Sequence, residues 1–142
     1  QVRSIYEDAV ENQGSEFYSS QQKTAWSSLA WLPGVLDQSL AKGKGWVSFH
    51  KKEIVGFAVR YPLNRLALLY CRGEYMRRGH ATALLSRVEE DAQKDGESRL
   101  FTEASFCSYP LLLRNGWTLD FSEAIEIAGV SFDRFRMQKK II

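Results

Sequence analysis

The 142-residue chain has the length of one domain and is too short for two. With 44% hydrophobic and 25% charged residues it can bury a core, and nothing in that balance argues for disorder. Its 19 basic and 17 acidic residues leave a formal charge of +2, scattered apart from Arg77-Arg78 and Lys139-Lys140, which is too weak for a nucleic-acid surface.

Two cysteines, Cys71 and Cys107, make neither a disulfide scaffold nor a zinc site, so a reduced, cytoplasmic compartment is expected. No cluster of His, Cys and carboxylates has metal-ligand spacing. No apolar run approaches the ~20 residues of a membrane span, and no signal peptide is read. The chain starts at Gln1 rather than Met, which leaves room for a strand ahead of it.

Val2, Ile5, Ala9 and Val10 fall at helical spacing, and Gly14 ends that pattern. Ser19 followed by Gln22 reads as a capping box. It opens a helix with Ala25, Trp26, Leu29 and Ala30 on one face, broken by Pro33-Gly34. A short helical piece over 35–41 closes at Gly43 and Gly45. The period then changes to two: residues 46–50 and 54–61 read as strands joined by the polar turn Lys51-Lys52-Glu53. Pro62 and Asn64 turn the chain into 66–71, a continuous apolar run expected of a strand buried on both faces.

Ala81, Leu84, Leu85, Val88 and Ala92 mark one face of the next helix. Arg87, Glu89, Glu90 and Asp91 cover its other face, and Gly96 stops it. A strand over 100–104 and a short helix over 110–115, with Pro110 in its first turn and Gly116 at its end, come next. A hairpin of 117–127 and 130–137 around Ala128-Gly129 completes the chain. This alternation predicts an α/β (α+β) fold, a mixed sheet with helices on its faces, in a single domain over 1–142.

The segment from Arg72 to Ala81 carries the most chemistry. A buried strand enters it and an amphipathic helix leaves it, and a helix N-terminus offers unpaired N–H groups and a partial positive charge to an anion. Gly79 lets a ligand approach the backbone closely, and Arg77 and Arg78 add fork-shaped donors suited to phosphate oxygens. Spacing alone leaves a second reading open, a solvated arginine pair and a glycine that only starts a helix.

Leu69-Tyr70-Cys71 followed by Glu74-Tyr75-Met76-Arg77-Arg78-Gly79-His80-Ala81-Thr82-Ala83-Leu84-Leu85 resembles the acetyl-CoA motif of the GNAT superfamily of N-acetyltransferases, Gln/Arg-x-x-Gly-x-Gly/Ala between a strand and a helix. Thr102-Glu103-Ala104-Ser105 and then Tyr109-Pro110-Leu111-Leu112-Leu113-Arg114-Asn115-Gly116-Trp117 resembles the family's next motif. The resemblance implies a mixed, mostly antiparallel sheet of about six or seven strands, flanked by helices and splayed at its central parallel pair. It implies acetyl-CoA as cosubstrate. The pyrophosphate would lie on the loop amides of Met76, Arg77, Arg78, Gly79, His80, Ala81 and Thr82, and the pantetheine arm along Leu69, Tyr70 and Cys71. Met76 stands where Gln or Arg is usual and cannot donate a hydrogen bond, so the amides and the two arginines would compensate.

The resemblance also frames the catalytic candidates. Many members place a thiolate-protonating Tyr four residues before the Gly of the second motif, where this chain has Leu112. Tyr109, one turn earlier, is therefore the candidate acid, unless it only packs at the helix start. Glu103 is the candidate base or ligand of the amine, unless it is simply paired with an arginine. His50 reads as a surface residue, His80 as a loop residue near the phosphates, and Cys71 and Cys107 as small apolar residues, so direct transfer is expected.

Tyr18, Trp26, Trp31 and Tyr61 are candidates for the acceptor wall, with Trp26 and Leu29 better read as core. A small-molecule primary amine is the expected acceptor, and the final hairpin could touch substrate or a second copy in a homodimer. The competing readings are a coenzyme A-binding module without catalysis and a generic phosphate-binding α/β domain.

Overall fold

The fold was described from a computed structural model, which covers residues 1–12, 18–29 and 37–141. Gly14, Ala30, Trp31, Pro33-Gly34 and the start of the 35–41 helix lie outside the described residues.

Helix α1 (Val2–Glu11) buries Ile5, Tyr6, Ala9 and Val10, the apolar stripe of its sequence. Helix α2 (Ser20–Ser28) begins at the predicted capping box: the Gln22 N–H donates to Ser19 Oγ at 3.1 Å, and the Ser19 N–H donates to Gln22 Oε1 at 2.9 Å. After α3 (Asp37–Lys42) come strands β1 (Lys44–His50), β2 (Glu53–Arg60) and β3 (Leu66–Cys71). A 3-10 turn (Gly73–Tyr75) leads to α4 (His80–Lys94), followed by β4 (Arg99–Ala104), α5 (Ser108–Arg114), β5 (Thr118–Ile127) and β6 (Val130–Lys140). Helix α5 starts two residues before the predicted position. Ser105 and Ser108 cap each other there, each hydroxyl accepting the other's N–H at 3.2 and 2.9 Å, and Pro110 falls in a first turn that needs no N–H from it. Ala128 and Gly129 both take positive φ, as a tight two-residue hairpin turn requires.

The strands form two three-stranded antiparallel sheets, ordered β1-β2-β3 and β4-β6-β5. This corrects the expectation of one sheet of six or seven strands. Strands β3 and β4 are the parallel neighbours, but among the described residues they share one isolated bridge, Arg65 with Phe101. The Phe101 N–H donates to the Asn64 carbonyl at 2.9 Å, and Thr102 Oγ1 donates to the Leu66 carbonyl at 2.8 Å. Beyond that point the ladder stops.

One hydrophobic cluster lies under α1 and α2, with Phe57, Val59, Leu68 and Phe132 from the sheets. The second lies under α4 and α5 and includes Leu84, Leu85, Val88, Leu100, Leu112, Trp117 and Met137. No described helix is long and apolar enough to cross a membrane.

The far end of α4 is fixed by a buried charge. The Arg60 side chain is 0% exposed. It donates to the Leu63 carbonyl at 2.7 Å and to Asp91 at 2.7 Å, and it also pairs with Asp95. Lys44 reaches Asp95 at 2.8 Å. The hydrogen bonds from Lys44 and then Arg60 hold the Asp95 carboxyl below its usual range. A carboxyl lowered on folding stabilises the fold above its unfolded pKa, and that contribution is lost as the pH falls through the folded value. Asp95→Asn is therefore expected to flatten the acid limb of the stability curve, measured by urea unfolding from about pH 7 to about pH 3. An unchanged acid limb would contradict this coupling.

Candidate active site

The apolar strand β3 ends at Cys71, and the eight residues 72–79 then turn the chain into α4. Met76 is extended, Arg77 has φ +63° and Gly79 has φ +89°. Two left-handed residues so close together curl successive N–H groups toward one side, the concavity in which anions bind. Gly79 is the N-cap of α4 and supplies no side chain to satisfy the helix N–H groups. Its carbonyl takes the Ala83 N–H at 3.0 Å, which leaves the amides of His80, Ala81 and Thr82 aimed outward. Arg77 and Arg78 are exposed at the same place, with the Arg78 guanidinium 5.2 Å from the centre of the Tyr75 ring. Met76 packs against the cluster under α4. A polar residue there would lose that contact, which accounts for Met where a donor is usual.

His80 opens α4, and its Nδ1 lies 2.5 Å from Ser48 Oγ on β1. His50, expected as a surface residue, is half-buried, and its ring is 5.0 Å from Tyr75, whose other neighbour is His80 at 6.0 Å. Trp46, Ser48 and His50 share one face of β1 by alternation, and that phase was readable in the sequence. Nothing local, by contrast, marked Ser48 as a neighbour of the loop.

On its β2 side, strand β3 pairs Gly56 with Cys71, Phe57 with Tyr70 and Ala58 with Leu69, and the Arg72 N–H bonds the Val55 carbonyl. An antiparallel ladder alternates, so the backbone groups of Leu69 and Cys71 point away from β2, toward the gap before β4. The Tyr70 side chain turns into the core beside Tyr6 and Trp26, and burial pushes its phenol up to about 12. Burial likewise pushes the Cys71 thiol up to about 11. Its side chain is buried in the apolar cluster under α4, and a raised thiol carries little thiolate. Cys107 is exposed at the start of α5.

Glu103 and Arg136 are register partners on one face of the second sheet. Arg65 grips Glu103 with two bonds of 2.9 Å, and Arg136 lies 3.6 Å from it. The ladder continues from Arg136 to Glu123 at 2.8 Å and from Glu123 to Arg134 at 2.5 Å. Beside it is a depression of about 210 Å³ lined by Arg65, Phe101, Glu103, Asp120, Phe121 and Arg136. Glu103 is thus a paired carboxylate at the edge of a hollow.

Tyr109 stacks on Phe135, with ring centres 4.6 Å apart, and packs against the cluster under α4 and α5. Leu112 is 1% exposed in that same cluster, so a phenol at its position would point into the core. Tyr18 is buried and its hydroxyl accepts the Phe106 N–H at 2.9 Å, which ties the approach to α2 to the segment between β4 and α5. Trp26 belongs to the core, as expected.

The family model described as an acetyltransferase (GNAT) domain matches residues 14–140. The chain belongs to the GNAT family of acetyltransferases. It is 32% identical over 143 residues to the uncharacterized N-acetyltransferase YafP of Escherichia coli (strain K12), covering 99% of this chain and 88% of that one. A GCN5-related N-acetyltransferase of Rhodopseudomonas palustris superposes with a TM-score of 0.92 at 22% identity, over 98% of this chain and 87% of the other. The PaiA N-acetyltransferase of Thermoplasma acidophilum, solved in complex with coenzyme A, gives a TM-score of 0.68 at 17% identity, over 97% and 89%. The resemblance of the two sequence motifs is therefore borne out, and this GNAT acetyltransferase has the mixed α+β fold of its family.

Proposed function

We propose that this acetyltransferase moves the acetyl group of acetyl-CoA to a primary amine of a small molecule by direct attack in a ternary complex. The observation that carries this is the uncapped N-terminus of α4, preceded by the left-handed Arg77 and Gly79 and lying beside the unpaired edge of β3. The pyrophosphate is assigned to the amides of Met76 to Thr82 and to the two arginines, and the pantetheine amides to the outward groups of Leu69 and Cys71. A relative of the same fold was solved with coenzyme A, in support of that assignment.

The amine nitrogen would form its bond to the thioester carbonyl as the carbon–sulfur bond breaks, and the departing thiolate needs a proton. Tyr109 is the phenol assigned to this step, because among the described residues no hydrogen bond engages its hydroxyl. Glu103, held by Arg65, is assigned to the amine as base or ligand. The raised pKa of Cys71 supports direct transfer over an acyl-cysteine.

The test is thiol release from acetyl-CoA against a panel of primary amines. Turnover on at least one amine is expected, with Tyr109→Phe lowering kcat by about a hundredfold and Glu103→Gln by a similar factor. Full rates in both variants would remove those two assignments. Coenzyme A binding without turnover on any amine would overturn the proposed reaction.

A further inference from the structure

We infer that Asp8, on α1, is a positioning residue for the cofactor loop: its carboxylate holds the amide at which that loop begins. The inference rests on the reading of residues 76–82 as the coenzyme A site.

The far end of the loop is fixed because α4 buries Leu84 and Leu85. The near end has no such anchor of its own. The Arg72 N–H is the last to bond β2, at 2.8 Å to the Val55 carbonyl. The next amide, that of Gly73, would be left without a partner where the chain departs from the sheet. Asp8 Oδ2 accepts it at 2.7 Å. A carboxylate bonded to a backbone N–H is about twice as strong a contact as a neutral pair.

The Asp8 turn is itself braced. Asn12 Nδ2 donates to the Asp8 carbonyl at 2.8 Å. A Cβ placed on Gly73 would lie 2.2 Å from Asn12 Cγ, so only glycine lets the loop come this close to α1. The Gly73 carbonyl then accepts the Met76 N–H at 3.3 Å, which passes the fixed position on to the residue before the left-handed Arg77. Asp8 thus sets where the curl of amides starts, while α4 sets where it stops.

Calorimetric titration of coenzyme A into the wild type, Asp8→Ala, Asp8→Asn and Tyr6→Phe tests this. Tyr6→Phe removes the bond from the Tyr6 hydroxyl to the Trp26 carbonyl and so weakens α1 without touching Gly73. Asp8→Ala is expected to weaken coenzyme A binding by about tenfold or more. Asp8→Asn keeps an acceptor oxygen and should stay within about threefold of wild type. Tyr6→Phe should lower stability and leave the affinity unchanged. Wild-type affinity in Asp8→Ala, or an equal loss in Tyr6→Phe, overturns the inference and leaves the cofactor site standing. A wild type that binds no coenzyme A overturns the site itself. Should Asp8→Ala fail to fold, Gly73→Ala probes the same contact through its clash with Asn12. The same loss is expected, and wild-type affinity there overturns the inference.

Discussion

Gly79→Glu is expected to weaken coenzyme A binding by roughly a hundredfold while leaving the protein folded. Two effects add at this position. Gly79 holds φ +89°, a conformation that costs any L side chain about 1–2 kcal/mol. The new carboxylate would also stand at the positive end of α4, where it would occupy the amides meant for the pyrophosphate and repel it. A Cβ at Gly79 meets nothing within 4 Å, so no clash reaches the core. The loss should therefore appear in binding and not in the far-ultraviolet spectrum. Arg78→Ala should lose less, since it removes one exposed charge from a site built of backbone. Calorimetry on both variants decides the matter, and unchanged affinity in the two together would displace the cofactor from this loop.

The largest expected effect on stability is that of Arg60→Ala, about 3–5 kcal/mol. The buried guanidinium is the hub for Asp91, Asp95 and the Leu63 carbonyl. Without it the two carboxylates face each other with only Lys44 between them, and the volume of the long side chain is left empty. For a chain of this size the melting temperature should fall by roughly 10 °C. Arg60→Met fills the same volume without charge and should recover part of the loss. Thermal melts of the two variants check this, and a fall of less than about 2 °C in Arg60→Ala would refute the hub role.

What the sequence made legible was local. The capping box of Ser19 and Gln22 spans four residues, and the turn at Ala128-Gly129 spans two. The apolar run of β3, the loop with its glycine and arginines, and the amphipathic face of α4 also lie along one stretch of chain. What stayed hidden depends on distant partners. Arg65 and Glu103 are 38 residues apart, and nothing near Glu103 names the arginine that grips it. Asp8 and Gly73 are 65 apart, and an aspartate on an ordinary helix gives no sign of its target. The division into two sheets was not written in the strands themselves, and only the resemblance implied a splay at the central parallel pair. It turns on whether β3 and β4 stay in register past Phe101, which is a matter of how two layers of side chains pack and not of either strand's own pattern.

That single bridge between Arg65 and Phe101 bears on the life of the protein as well as on its chemistry. Both hydrophobic clusters draw side chains from the two sheets, but the described backbone joins the sheets at one end only. A long ligand running through the gap, as proposed for coenzyme A, would act as mortar between two walls. At a hundred times its Kd such a ligand contributes about 2.7 kcal/mol to the folded state. The supply of coenzyme A in the cell would then help set how long each molecule of the acetyltransferase escapes unfolding and degradation.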